Sequence, residues 1–191
     1  MSLITLSTTQ TCPCQINPLL EIGSPLTYQE CCQPYHDAFS NADMDELGAV
    51  KAETAERLMR TRYSAFVLVK PDYIVKTTLP AQQSLLDVNA IESWAKETDW
   101  AGLEIVQHTP KLGKRHAQVE FKAYFNTSKD ASSQLQAHHE LSAFVKVKDK
   151  SSKDARWYFL DPTVAITVTQ KQPCICGSGE KFKRCCGEYL G

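Results

Sequence analysis

The placement of the cysteines constrains this chain more than any other feature of its sequence. All 8 cysteines lie in two groups, one near each end, and residues 33–173 contain none. Cysteines that serve only as small core residues would be scattered along the chain. The spacing therefore predicts two local sites, formed by Cys12, Cys14, Cys31 and Cys32 and by Cys174, Cys176, Cys185 and Cys186.

The surrounding sequence favours a metal over disulfide bonds. Residues 1–6 have no basic residue before their short apolar patch, which makes a poor signal peptide. No apolar run approaches the roughly 18 residues of a membrane span. We therefore expect a cytoplasmic protein without a membrane segment, in which disulfide frameworks are rare. Four thiolates form the closed tetrahedral shell of structural zinc, so zinc is predicted at both groups; free or redox-active thiols are the alternative.

The C-terminal group has a spacing that lets the chain close around one ion. Gly177 and Gly179 allow the backbone to reverse, since glycine adopts positive φ cheaply. Residues 180–184 are long enough for about one helical turn, and Phe182 is expected to form a hydrophobic plug. Three cations inside the loop offset the thiolate charge: Lys181, Lys183 and Arg184.

The N-terminal group departs from this spacing. Residues 15–22 form an extra stretch, and Pro25 stands where the other group has a glycine. No Lys or Arg precedes Lys51. We therefore predict weaker zinc binding here and earlier loss to a chelator. His36 is considered as a substitute ligand, but four cysteines suffice, and it is interpreted as a surface histidine.

The cysteine pattern has a family resemblance. The C-terminal group resembles the SEC-C zinc motif, which is best known from the tail of the SecA export motor. It consists of Cys-x-Cys, then eight residues that begin Gly-Ser-Gly, then Cys-Cys. A copy at each end of one chain is similar to the YchJ family, and residues 55–66, 71–73 and 138–144 support this. The resemblance implies a cone-like middle domain of the nuclear transport factor two type, with a pocket between sheet and helices.

The middle of the chain predicts an α+β fold, with helices packed on a curved antiparallel sheet between the two zinc modules. Leu58, Arg62, Ala65, Phe66 and Val69 recur at helical spacing after a Thr54 cap. Shorter helices are expected at 72–76 and from an Asn89 cap to Ala95. Alternating residues predict strands at 103–107, 117–125, 139–147, 156–160 and 164–168.

The sequence predicts three structural units. They are a zinc module at 10–36, the α+β domain at 37–169 and a second zinc module at 170–191, with the acidic stretch 37–53 as a solvated linker. A fragment spanning 37–169 is expected to fold without metal, because the large core lies there.

Pocket residues can be proposed from the same pattern. His139 is placed on the apolar face of its strand, where Tyr63, Trp94 and Trp157 would join it and Asp161 would lie nearby. Arg60 and Arg62 are interpreted as structural or surface charges. No phosphate-binding loop, dinucleotide fingerprint or nucleophile elbow is present, so no catalytic residue is assigned and a non-enzyme is favoured.

Two functions remain open. With 21 Lys+Arg against 22 Asp+Glu, the chain lacks the basic excess of a nucleic-acid binder. The first candidate is a zinc-binding adaptor for a protein partner; analogy with SecA suggests a chaperone, the ribosome or export machinery. The alternative is an enzyme or small-ligand binder that uses the central pocket. A cavity holding both His139 and a carboxylate would favour the alternative, and a filled cone with exposed, ordered zinc modules would favour the adaptor.

Overall fold

The computed structural model describes residues 9–40, 50–128, 132–148 and 155–190. Six α-helices come first: α1 Tyr28–Cys31, α2 Gln33–Ser40, α3 Ala55–Val67, α4 Pro71–Lys76, α5 Pro80–Gln83 and α6 Val88–Glu97. Four strands follow: β1 Asp99–Leu112, β2 His116–Asn126, β3 Leu135–Lys148 and β4 Ala155–Leu160. Short 3-10 turns occupy Pro13–Gln15, Phe182–Arg184 and Cys186–Glu188.

The strands form one curved antiparallel sheet in the order β1-β2-β3-β4, in which each strand pairs with its neighbour in sequence. The helices lie before the sheet in the chain and pack on it, so the predicted α+β class is confirmed. Register shifts in β1, including one between Trp100 and Gly102, bend the first strand. Within the described residues, no helix has both the length and the apolarity needed to cross a bilayer.

The longest helix, α3, forms as its sequence predicts. The Thr54 side chain accepts a hydrogen bond from the Arg57 amide at 3.0 Å, which caps the first turn. Pro71 opens α4 at a position where its missing N–H is harmless. The cap of α6 is Asp87, whose carboxylate accepts from the Ala90 amide at 3.0 Å, and the predicted cap Asn89 lies inside the helix.

Both faces of the sheet are covered. On the inner face, Val119 and Phe121 of β2 and Phe144 of β3 pack with Leu58 and Tyr63 of α3. On the outer face, a strip of apolar side chains contacts the C-terminal cysteine module. This strip consists of Ala143, Val145 and Leu160.

The predicted strand at 164–168 is wrong, since this segment has no regular structure. The free edge of β4 is already used, because the Leu79 amide donates to the Phe159 carbonyl at 2.9 Å and the Phe159 amide donates to Thr77 at 2.9 Å. Of the predicted acidic linker, residues 37–40 belong to α2, and 41–49 lie outside the described residues.

Candidate metal centres and the central cavity

The four N-terminal cysteines meet in one buried cluster. Their sulfurs all lie within 4.8 Å of one another, and each cysteine is at most 2% exposed. The sulfur of Cys14 lies 3.7 Å from that of Cys12, and 3.5 Å from those of both Cys31 and Cys32. These separations are far longer than a disulfide bond of about 2.05 Å. They match the edge of about 3.8 Å that four sulfurs form around zinc at about 2.3 Å.

Local structure brings the two halves of this cluster together. The Cys12 amide donates to the Leu26 carbonyl at 2.9 Å, which holds the Cys-Pro-Cys turn beside the start of α1. Thr27 and Glu30 form a reciprocal capping box there. That helix presents Cys31 to the site, and Cys32 follows immediately.

The extra stretch at 15–22 lies on the central sheet. The Leu103 amide donates to the Ile16 carbonyl at 2.8 Å, at the bulge beside Gly102. A Cβ atom on Gly102 would lie 2.6 Å from both the Ile16 oxygen and Pro18 Cδ, and the glycine has φ +149°. The insertion therefore attaches the N-terminal module to β1.

Residues of α3 complete the surroundings of the N-terminal sulfurs. Arg57 Nη1 donates to the Cys31 sulfur at 3.5 Å, and the Ser64 hydroxyl lies 3.6 Å from the Cys12 sulfur. Arg60 Nη1 donates to the Cys14 carbonyl at 3.1 Å, so the interpretation of Arg60 as structural agrees with its contacts. The sequence reasoning missed Arg57, because 26 residues separate it from its partner.

His36 is not a surface residue, and that interpretation is wrong. It is 1% exposed, and its ring bonds to the Tyr28 hydroxyl at 2.8 Å and the Thr61 carbonyl at 3.0 Å. Burial lowers its pKa to about 4. His36 therefore joins the module to α3 as a neutral ring outside the sulfur cluster.

The C-terminal cysteines form a second cluster of the same kind. Their sulfurs lie within 4.8 Å of one another, and each residue is at most 5% exposed. Gly177 and Gly179 have φ of +72° and +79°, as the predicted turn requires. Phe182 is buried, which confirms its expected role as a hydrophobic plug.

One residue of the sheet approaches the C-terminal sulfurs. His116 Nε2 of β2 lies 3.5 Å from the Cys186 sulfur and 3.9 Å from that of Cys185. The cations of the motif loop, Lys181, Lys183 and Arg184, are exposed. This site therefore has a contact from a distant part of the chain, as the N-terminal site does, and the Ser178 hydroxyl adds a local one at 3.5 Å from the Cys185 sulfur.

The thiols of both clusters fit a divalent metal chemically. Hydrogen bonds with Cys12 and Cys14 lower the pKa of the Cys31 thiol below its ordinary 9.0, and the corresponding bonds raise the pKa of Cys14 and Cys32. Hydrogen bonds with Cys174 likewise lower the pKa of Cys176 and raise that of Cys186. Four such sulfurs can all ionise only when a cation replaces the shared protons.

A cavity of about 370 Å³ lies between the helices and the inner face of the sheet. Aromatic side chains form much of its wall: Tyr63, Phe66, Trp94, Trp100, Phe121 and Phe159. Six polar side chains also line the cavity: Arg62, His138, Glu140, Ser142, Asp161 and Thr163. Cavities of this size and character accommodate small organic molecules.

The structure separates the four residues that the sequence grouped into a pocket. Tyr63 and Trp94 line the cavity, whereas His139 does not. His139 is exposed on the outer face, where it bonds to Glu120 at 2.8 Å. Its placement was wrong because the apolar alternation of β3 belongs to the face that the C-terminal module covers. The neighbouring His138 lines the cavity.

Trp157 also lies outside the cavity. Its indole N–H donates to the Glu53 carbonyl at 3.2 Å, and Lys146 Nζ lies 5.5 Å from its ring centroid. The cavity wall on β4 is formed by Phe159, which is two residues further along the strand. Asp161, expected nearby, is part of the lining.

Three family models match successive parts of the chain. Residues 5–40 match the N-terminal zinc binding domain of YchJ family proteins, 54–162 match the YchJ middle NTF2-like domain, and 171–188 match the SEC-C motif. The match to a zinc binding domain agrees with the metal-compatible sulfur clusters. The middle match covers the helices and strands that enclose the cavity.

Relatives and solved structures resemble the chain over most of its length. A UPF0225 protein of Actinobacillus succinogenes is 44% identical over 95% of this chain and 99% of its own, and one of Haemophilus influenzae strain PittEE is 45% identical over 100% of both. The crystal structure of a SEC-C motif containing protein from Psychrobacter arcticus has a TM-score of 0.87 and 73% identity, covering 95% of this chain and 98% of that one. A Rhodopseudomonas palustris SEC-C motif protein has a TM-score of 0.55 and 33% identity, covering 73% and 92%. Because the family models follow one another along the chain and these relatives match it from end to end, the protein belongs to the YchJ family.

Proposed function

We propose that this protein binds a small, largely aromatic organic molecule in its central cavity, and that two zinc ions stabilise the walls. The observation that carries the proposal is the cavity of about 370 Å³, whose lining combines six aromatic side chains with six polar ones. This combination is typical of ligand sites, in which apolar walls supply affinity and a few polar groups fix orientation.

A row of polar side chains on β3 supports this function. His138 Nε2 bonds to Glu140 at 2.9 Å, and the Ser142 hydroxyl donates to the other oxygen of Glu140 at 2.5 Å. All three residues line the cavity. His139, the histidine expected in the cavity, lies outside it, so the criterion stated for that residue is not met. The support for a ligand binder comes instead from His138 beside Glu140 in the lining.

The positions of the cysteine clusters support a stabilising role for the metal. We assign zinc to the two quartets, Cys12, Cys14, Cys31 and Cys32, and Cys174, Cys176, Cys185 and Cys186. Each cluster packs against the central domain: the first with Leu58 and Leu103, the second with Val145 and Leu160. Buried sites in contact with the core are suited to structural zinc.

The cavity can be tested with a neutral aromatic probe. Naphthalene-2-methanol should bind the zinc-loaded protein with Kd at or below about 1 mM by isothermal titration calorimetry. Ala90→Phe places a ring in the cavity lining on α6 and should weaken binding at least about tenfold. Asn89→Phe adds the same ring at a neighbouring position outside the lining and should leave the affinity within about twofold. Absence of binding by this probe and by its carboxylate and ammonium analogues, or equal effects of the two substitutions, would overturn the proposal.

One observation favours the adaptor as a second candidate. The insertion in the N-terminal module exposes Leu19 and Leu20, which are 61% and 66% accessible. Adjacent exposed leucines are suited to a protein contact. Replacing both with serine should leave naphthalene-2-methanol binding unchanged, because neither residue lines the cavity. Loss of a specific copurifying protein from that variant alone would support the adaptor.

A further inference from the structure

One wall of the cavity contains a buried arginine. Met59, Arg62, Tyr63 and Phe66 lie on one face of α3 and all line the cavity. Arg62 is only 5% exposed. Its guanidinium carbon lies 4.4 Å from the centroid of the Phe159 ring, so the charged group is held flat against an aromatic wall.

Protein groups satisfy only one edge of this guanidinium. Nη1 donates to the Ile74 carbonyl at 2.8 Å and to the hydroxyls of Thr77 and Thr78 at 2.7 and 3.3 Å. Among residues 9–40, 50–128, 132–148 and 155–190, no acceptor is hydrogen-bonded to Nε or Nη2, and no carboxylate lies within ion-pair distance. The three bonds of Nη1 fix the orientation of the group. Nε and Nη2 have no bonded acceptor among these residues, and Arg62 lines the cavity.

An edge of this kind requires a partner with oxygen acceptors. Guanidinium donors remain charged in proteins, and their strongest hydrogen bonds are to anionic oxygen acceptors. Nε and Nη2 present two parallel N–H groups, which match the two oxygens of a carboxylate. The aromatic side chains around the cavity match the remainder of an aromatic acid.

We propose that Arg62 binds the carboxylate of an aromatic acid whose ring lies among Trp94, Trp100 and Phe121. This assignment rests on the proposed function and names the class of ligand. It also changes the interpretation of Arg62 from a structural or surface charge to a specificity-determining residue.

The two carboxylates in the lining restrict where an acid can be placed. Glu140 is already engaged by His138 and Ser142. Asp161 accepts bonds from the backbone amide and hydroxyl of Thr163 at 2.9 and 2.6 Å. Both would repel a second carboxylate, so an acid can be held only with its charged end at Arg62. Without the Arg62 contact, the same two residues would select a cation.

Three probes with the same ring distinguish a site for an acid from a site for a neutral molecule or a cation. They are 2-naphthoate, naphthalene-2-methanol and naphthalene-2-methylammonium. With the zinc-loaded full chain, 2-naphthoate should bind at least about tenfold more tightly than the other two. Arg62→Lys keeps the charge but loses the planar fork. This substitution should remove most of the preference for naphthoate over the neutral alcohol, measured as the ratio of the two affinities.

A measurement on the unsubstituted protein covers the case in which Arg62→Lys fails to fold. The Arg62 Nε–H signal in a nitrogen–proton correlation spectrum should shift on addition of 2-naphthoate, while the Arg184 signal stays in place. Equal binding of acid and alcohol, a preference for the ammonium probe, or an unmoved Arg62 signal at saturation would overturn the assignment of the carboxylate to Arg62. Failure of all three probes to bind would instead overturn the proposed function.

Discussion

Arg57 shows how the charge of a cysteine cluster can be balanced by a residue outside its own motif. The local sequence suggested that the N-terminal group has only anions, whereas Arg57 Nη1 reaches the Cys31 sulfur at 3.5 Å. The loop cations of the C-terminal group are exposed instead. The earlier loss of zinc from the N-terminal site stays a prediction, but charge no longer supports it.

Replacing Arg57 should therefore speed loss of zinc from the N-terminal site. Arg57→Met removes the hydrogen bond to Cys31, and outer contacts to metal ligands typically change metal affinity by about tenfold or more. The rate of zinc transfer to a colorimetric chelator, measured in a Cys185→Ser background, should rise at least about threefold. Lys183→Met, tested at the C-terminal site in a Cys31→Ser background, is the control and should have little effect. Equal changes for the two substitutions would show that the Arg57 contact is unimportant.

Gly102 has a residue-scale role in attaching the insertion to β1. Gly102→Ala places a Cβ 2.6 Å from the Ile16 oxygen at a positive φ, so we expect the free energy of unfolding to fall by about 2–3 kcal/mol. Gly113→Ala is the matched control, since φ is +57° and no atom lies within 4 Å of its Cβ. That change should cost only about 1 kcal/mol. Urea denaturation followed by tryptophan fluorescence measures both, and equal losses would contradict the role of close packing at Gly102.

At the scale of elements, the sequence predicts those that carry a clear cap or a regular apolar repeat. Helix α3 has a Thr54 cap and apolar residues at helical spacing, although burial extends around the helix at 61–65, and β2 alternates between Val119, Phe121 and their polar neighbours. The prediction of which face of β3 lines the cavity was wrong, because different parts of the protein pack on its two faces. The outer Ala143 and Val145 contact the C-terminal module, whereas the inner His138 and Glu140 line the cavity.

Sequence separation explains which features of the two cysteine sites could be predicted and which could not. The cysteine groups could be predicted because each closes over a short span of sequence. The contacts of Arg57 and His116 with sulfurs could not, since they depend on how α3 and β2 are placed in three dimensions. The segment 164–168 has alternating residues but forms no strand, and the neighbouring edge of β4 is already bonded at Phe159 by Thr77 and Leu79.

At the scale of the whole molecule, the N-terminal module is part of the main core. Its cysteines and Tyr28 belong to the same buried cluster as Leu58, Tyr63 and Phe144. The C-terminal module similarly completes a cluster with Leu79 and Leu160. The structure therefore gives little support to the expectation that the middle of the chain folds independently.

We now expect the fragment 37–169 to lack a cooperative unfolding transition, because it loses parts of both clusters. Its near-ultraviolet circular dichroism should be weak, and its urea curve should be broad. The control is the zinc-loaded full chain, which should unfold in one sharp transition. A sharp transition of the fragment close to that of the full chain would instead identify the modules as accessories to an independent domain.

The C-terminal module shields the outer face of the sheet, and its position late in the chain affects folding during biosynthesis. Ala143, Val145 and Leu160 are made before the segment that shields them, which includes Cys174, Phe182 and Cys186. A nascent chain thus carries an uncovered apolar strip until residues 174–186 have been added and have bound their ion. Exposed strips of this kind promote self-association during folding. A low zinc supply would then lengthen the time for which this apolar strip is exposed in each new chain, and it would lower the yield of native protein.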